Sequence, residues 1–143
     1  MGQIPEALRK EVMGHFDENR VVYLATSESD QPRVRPVTLV TIGPDLWILT
    51  GSSDAKIKQV KNNPRIEICY PVEREENTGY IRLSGIALNI NDKNTRREIA
   101  EQVGFFNKYW DSPDDPEFSL LQTRFENIEY LKPGDLIAEK YRL

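Results

Sequence analysis

Pro32-Arg33-Val34-Arg35-Pro36-Val37-Thr38-Leu39-Val40-Thr41-Ile42, then Leu46-Trp47-Ile48-Leu49-Thr50, then Gly51-Ser52-Ser53-Asp54-Ala55-Lys56 and on to Asn62-Asn63-Pro64, is the run on which the fold turns. Side chains of an extended strand alternate faces, so Arg33, Arg35, Val37 and Leu39 share one side. Gly43-Pro44-Asp45 makes a tight turn, and a second strand returns through Leu46 to Thr50. Beyond it, Gly51 permits close backbone approach, and Ser52 and Ser53 offer hydroxyl donors. Asp54 suits the N-cap of a helix over 54–62, with Ile57 and Val60 in its apolar stripe. Two strands, a small-residue turn and a helix start thus bring Arg35 and Lys56 within reach of one anion. Alone, neither cation is decisive. A strand arginine usually meets solvent, and a lysine in a first helical turn is mildly disfavoured by the helix dipole. A bound phosphate reverses that sign, because free N–H groups and Lys56 then face the same charge. The run is not a Walker loop, since G-x-x-x-x-G-K-[ST] is absent.

Outward from this run, residues 5–18 read as an amphipathic helix with Pro5 in its first turn and Leu8, Val12 and Phe16 on one face. Val21 to Thr26 is a strand that Ser29-Asp30-Gln31-Pro32 turns into the next. Ile66 to Val72 forms a fourth strand, and the charged stretch Glu73 to Gly79 reads as a loop. Tyr80 to Ile90 is a long fifth strand in which Gly85 marks a bulge or a close approach. Thr95 to Tyr109 is expected to be helical, with Ile99 and Val103 on its buried side. Asp111 to Pro116 is a loop, Phe118 to Leu131 returns to strand, and the tail after Pro133-Gly134 ends in a short strand. About six or seven short strands with three peripheral helices point to a closed antiparallel barrel or an α+β sheet.

At 143 residues the chain fits one domain with a real core. A net charge of −4 and a pI near 5.1 argue against a general nucleic-acid binder, whose footprint is basic. No apolar run approaches the roughly 18–20 residues of a membrane span. The first six residues lack the basic and apolar regions of a secretory signal. Cys69 is the only cysteine, which excludes an internal disulfide, and it reads as a buried small hydrophobe. Together these features point to the cytoplasm.

Several chemistries fail on inventory. One histidine, His15, and one distant cysteine make a metal site poor, and Asp111, Asp114 and Asp115 are simpler as turn formers. No G-x-S-x-G elbow accompanies His15, so a hydrolytic triad is not supported. Glu75-Glu76 and Asp114-Asp115 read as solvated loop pairs, not glycosidase carboxylates. A redox cofactor asks for none of these groups, because it carries the chemistry and the protein supplies binding and orientation. Phe105, Phe106, Tyr109 and Trp110 cluster just before the acidic loop, and most such aromatics are core.

Taken in order, Gln31-Pro32-Arg33-Val34-Arg35-Pro36-Val37, Leu46 to Thr50, Lys56 eight residues before Pro64, Arg65-Ile66-Glu67-Ile68 and Tyr80-Ile81-Arg82-Leu83-Ser84-Gly85 resemble the pyridoxamine 5'-phosphate oxidase-like family over about residues 5 to 131. No single motif decides; the order and spacing do. The resemblance implies a mainly β, FMN-binding split β-barrel spanning 1–143. It implies that Arg35 and Lys56 grip the FMN phosphate, with Ser52 and Ser53 assisting. The main chain around Pro36, Val37, Thr38, Leu49 and Thr50 would line the flavin ring. It further implies a homodimer with the flavin at the interface, Trp110 walling the ring, and the strands Leu46–Leu49 and Ile66–Tyr70 contributing to the contact. The expected function is an FMN-dependent oxidoreductase of a small organic substrate and an electron donor. The rivals are a non-catalytic flavin-binding or stress-response protein, and a deazaflavin or haem binder of the same fold. Asp54 departs from the family pattern, where Ser or Thr is common. True oxidases of the family add a C-terminal segment with basic residues and a Trp, whereas this chain stops at Leu143. After Arg35 and Lys56 are assigned, only Arg33 and Arg82 remain as a second anion grip, so efficient pyridoxamine phosphate oxidation is not expected.

Overall fold

The strand-forming run at Val21–Thr26 and the two strands that follow it form the hairpins their turn residues predict. In a computed structural model describing all 143 residues, β1 (Arg20–Glu28) pairs along its whole length with β2 (Gln31–Ile42). The remaining strands are β3 (Asp45–Gly51), β4 (Arg65–Arg74), β5 (Asn77–Asn89), β6 (Phe118–Leu131) and β7 (Glu139–Arg142). Their order is β3-β2-β1-β4-β5-β6-β7, and β3 also pairs with β6, so the first six close into an antiparallel ring. The N-terminal part of β6 closes on β3, while its C-terminal part carries β7. Closure leaves few free strand edges.

The ring is split at one place, and the split matters. β2 and β3 pair only through Val40–Ile42 with Asp45–Trp47. Toward the Arg35 end of β2 and the Gly51 end of β3 the two strands part. The gap is flanked by α2 (Ala55–Asn62), which leaves β3 through Ser52–Asp54.

Alternation decides what fills the interior. Val22, Leu24, Leu39, Ile66, Ile68, Ile81, Leu83 and Ile128 all point inward, and Val12 and Phe16 from the N-terminal helix cap the same core. β3 is buried on both faces. Leu46 and Ile48 join this core, whereas Trp47 joins a second cluster under α3 (Lys93–Glu101) with Ile99, Val103, Phe106, Trp110 and Phe118. Gly85 sits at the register shift between β5 and β6, as predicted, and a Cβ there would collide with the Arg124 carbonyl oxygen.

Four expectations change. The N-terminal helix, α1, is α-helical only over Glu6–Met13 and tightens into a 3₁₀ turn at Gly14–Phe16. The stretch Glu73–Gly79 is a tight hairpin, with Arg74 opposite Asn77 and Glu75 at φ +57°. The third helix starts at Lys93, because Asp92 accepts from the Thr95 amide at 2.9 Å, and it ends at Glu101. Past it, Gly104 disfavours a continued helix by about 1 kcal/mol, and a 3₁₀ turn at Phe106–Lys108 bends the chain back toward the split. Cys69 is half-buried on the outer face of β4, opposite Tyr23 and Arg82, because Ile66 and Ile68 take the inward positions.

Candidate functional site

The parting of β2 from β3 opens a cleft of about 460 Å³. Pro36, Val37 and Thr38 form one wall, Ile48, Leu49, Thr50 and Gly51 the other. Lys56 closes one end, and Phe105, Lys108, Tyr109 and Trp110 come in from the bend after α3. Seven of the residues nominated from sequence are therefore brought together: Pro36, Val37, Thr38, Leu49, Thr50, Lys56 and Trp110. Trp110 is buried, stacked on Phe106 and Phe118 at ring-centroid distances of 5.3 and 5.0 Å. Its indole N–H donates to the Glu117 carbonyl at 3.2 Å, which fixes its edge and leaves the neighbouring Tyr109 exposed.

Lys56 is an unusual cation for a first helical turn, since its side chain is only 8% exposed. Its ammonium donates to Thr50 Oγ1 at 2.8 Å and stands 3.0 Å from Asp54 Oδ1. The same carboxylate oxygen accepts the Lys56 amide at 3.0 Å, so Asp54 caps α2 and pairs with Lys56 at once. Burial pushes the Asp54 pKa up, but the hydrogen bonds from the Lys56 amide and side chain, with the charges of Lys56 and Arg35, hold it below the ordinary carboxylate value.

Arg35 is positioned by a different set of groups. One guanidinium nitrogen donates to Thr26 Oγ1 at 2.8 Å and the Leu24 carbonyl at 3.2 Å, and another donates to Gln59 Oε1 at 2.6 Å. Thr26 donates to the same Gln59 oxygen at 2.5 Å, and Gln59 in turn donates to Glu28 at 3.1 Å. Burial lowers the Arg35 pKa, Asp54 opposes that fall and Arg33 adds to it; a guanidinium stays charged regardless. Arg35 does not itself line the cleft. Its charge is met by neutral acceptors and, through space, by the Asp54 carboxylate.

Ser52 and Ser53 stand apart from the cleft. Ser52 donates to the Pro116 carbonyl at 2.6 Å and contacts Ser119 Oγ at 2.8 Å, so its hydroxyl ties the turn to the acidic loop, and Ser53 is exposed. Sequence reasoning missed Thr26, Gln59 and Lys108. Helical spacing carries a signal for Gln59, because Lys56, Gln59 and Val60 are the buried positions of α2.

The outer face of the sheet differs in kind. Val21, Tyr23 and Val34 are 64%, 49% and 69% exposed on adjacent strands. Their cross-strand partners Thr38 and Pro36, opposite Val21 and Tyr23, line the cleft. An uncovered apolar patch therefore adjoins its mouth. Of the segments expected to supply an intermolecular contact, Leu46, Trp47, Ile48, Ile66 and Ile68 are core residues of the protomer, while Leu49, Cys69 and Tyr70 stay half-buried.

A family model described as pyridoxamine 5'-phosphate oxidase matches residues 8–132. The chain belongs to that family. The General stress protein 26 of Bacillus subtilis (strain 168) is 23% identical over 129 residues, covering 90% of this chain and 91% of that one. Among solved structures, a NimC/NimA family protein from Clostridium acetobutylicum superposes with a TM-score of 0.73 at 27% identity, covering 94% of this chain and 91% of that one. A haem-binding protein from Mycobacterium smegmatis shares the fold at a TM-score of 0.75 and 18% identity, covering 97% of this chain and 59% of its own. The family generally binds flavin and its members are often dimers, while some proteins of this fold bind haem. The split-barrel expectation holds. No helix is long and apolar enough to cross a membrane.

Proposed function

We propose that residues 1–143 form one FMN-binding unit of a cytoplasmic homodimer that transfers electrons between a donor and a small organic substrate, with no nucleic-acid or membrane partner. One observation carries this reading: seven residues that the sequence pattern assigns to a flavin site line a single cleft, with a buried lysine among them. The cleft suits a flat heteroaromatic ring with a phosphate tail. Backbone of Pro36–Thr38 and Leu49–Thr50 borders the ring, Trp110 and Tyr109 wall it, and Lys56 with Arg35 behind it receives the phosphate. FMN supplies the hydride chemistry when bound; the chain orients it and shields one face. The other face is completed by a second copy through Val21, Tyr23 and Val34, which adjoin the mouth of the cleft.

Absorbance of protein purified without added cofactor tests the reading first. Flavin bands that persist through gel filtration support it, and a protein that neither carries nor takes up FMN sinks it. The likeness to General stress protein 26 favours a second reading, a flavin-binding stress protein without turnover. Sustained oxidation of a reduced nicotinamide separates the two. Haem is poorly served, because His15, the only histidine, packs on Tyr70 at 6.1 Å and does not line the cleft. Conversion of pyridoxamine phosphate is expected to be negligible, because Arg33 is engaged by Glu28 and Arg82 by Glu67 and Glu129, leaving only exposed Lys108 at the rim for a second phosphate.

A further inference from the structure

We infer that Asp54 is a specificity-determining residue of this cleft, an internal counter-anion on Lys56 that makes the site indifferent to the second negative charge of a phosphate monoester. The inference rests on the flavin reading above. Its ground is local to this chain. A phosphate at the end of the cleft would meet Lys56 directly and feel the charge of Arg35 from outside the lining, and two such cations without a counter-charge would favour a dianion. Here a carboxylate oxygen already occupies one side of the ammonium at 3.0 Å, with Thr50 on another at 2.8 Å. Asp54 cannot simply turn away, because the same oxygen holds the Lys56 amide in the first turn of α2. An incoming phosphate must therefore either share Lys56 with Asp54 or break a helix cap, and each added negative charge on the ligand repels the carboxylate.

The charged groups that act on Asp54 are Lys56 on its own helix and Arg35 from β2; Arg33 acts on Arg35, Glu28 holds Gln59, and Lys108 lines the same cleft. Carboxylates, ammonium and guanidinium groups ordinarily hold their charge between about pH 5.5 and pH 8. A phosphate monoester does not, because its second proton leaves near about pH 6. The ligand's own ionisation thus reads the charge of the site.

The test compares the FMN-to-riboflavin affinity ratio of the native protein and Asp54→Asn across that range. Asparagine keeps the helix cap and removes the charge. The native ratio should stay within about twofold from pH 5.5 to pH 8, and that of D54N should climb about fivefold or more, the scale of one partly screened charge pair. Inorganic phosphate is a second probe, and its stabilisation of the folded protein against heat should be stronger in D54N. Identical pH profiles in the two proteins overturn the inference while leaving flavin binding intact. If neither protein takes up any flavin, the functional reading fails instead, and the phosphate arm alone decides Asp54: equal stabilisation of both proteins overturns its role.

Discussion

Arg35 and Arg82 are both strand arginines, and the protein answers them in opposite ways. Arg82, on the outer face of β5, meets Glu67 at 2.8 Å on one side and Glu129 at 2.9 Å on the other. Tyr80 donates to the same Glu129 oxygen at 2.5 Å, and Lys140 approaches its second oxygen at 3.5 Å. The hydrogen bond from Arg82 to Glu67 outweighs burial and raises the arginine's pKa further. Every charge there has a partner. Arg35 instead donates to a threonine hydroxyl, a backbone carbonyl and a glutamine. Neutral acceptors orient it without cancelling its charge, and the one carboxylate that acts on it, Asp54, is shared with Lys56. The compensated network belongs to a sheet face, while the cationic surplus belongs to a cleft that an anion would complete.

The comparison breaks most visibly at the outer face. If Val21, Tyr23 and Val34 cover a second copy, a double change Tyr23→Asp with Val34→Asp buries unpaired charge at the contact, at a cost of about 3 kcal/mol or more. Sedimentation should then show monomers at micromolar concentration where the native protein is dimeric, with circular dichroism unchanged. A native protein that sediments as a monomer with FMN bound removes the shared-site picture.

Arg35→Ala comes next. A charge-assisted hydrogen bond to phosphate is worth about 1.5–3 kcal/mol, or roughly 10- to 150-fold in affinity. FMN affinity should fall by that factor and riboflavin affinity hardly at all, whereas Arg82→Ala should move neither. Equal losses for both ligands would take Arg35 out of the phosphate site. Thr26→Val is the milder companion. It removes the hydroxyl shared by Arg35 and Gln59, so FMN affinity should drop about fivefold at a stability cost of about 1 kcal/mol, with riboflavin unaffected.

These residues also show where sequence reasoning reached and where it stopped. The cleft was legible because its walls are two strands whose order and turns are written in consecutive residues from Pro32 to Lys56. Thr26 and Gln59 were not, since what they do depends on a contact 33 residues apart in the chain. The strands expected at the interface are ambiguous in the sequence for a simpler reason. An apolar run such as Leu46–Leu49 looks the same whether its second face meets a partner or the protomer's own α3, and here Trp47 goes under α3. The hairpin at Glu75-Glu76 lacked the glycine or asparagine that normally announces a left-handed turn residue, so it read as a loop. Apolar spacing continues past Gly104 and so suggests a longer third helix, whereas the chain there bends to deliver Trp110 to the cleft.

The smallest effect belongs to the compensated network, and it is a matter of sign. The hydrogen bond from Tyr80, followed by the charges of Arg82 and Lys140, lowers the Glu129 pKa against the opposing push of burial. A carboxylate whose folded pKa lies below its unfolded value, about 4.3 for glutamate, stabilises the fold fully above that value. The contribution drains as pH falls through the folded pKa. Arg82 is 42% exposed and Lys140 more so, so solvent screening holds the network to about 1 kcal/mol or less. Glu129→Gln should therefore unfold at slightly lower urea near pH 7, and the difference from the native protein should shrink as pH falls through the lowered folded pKa. The FMN-to-riboflavin ratio should not change, because nothing in the network touches the cleft. A variant that stays equally destabilised at low pH would show that Glu129 acts through packing, and one that alters the flavin ratio would erase the division between the two arginines.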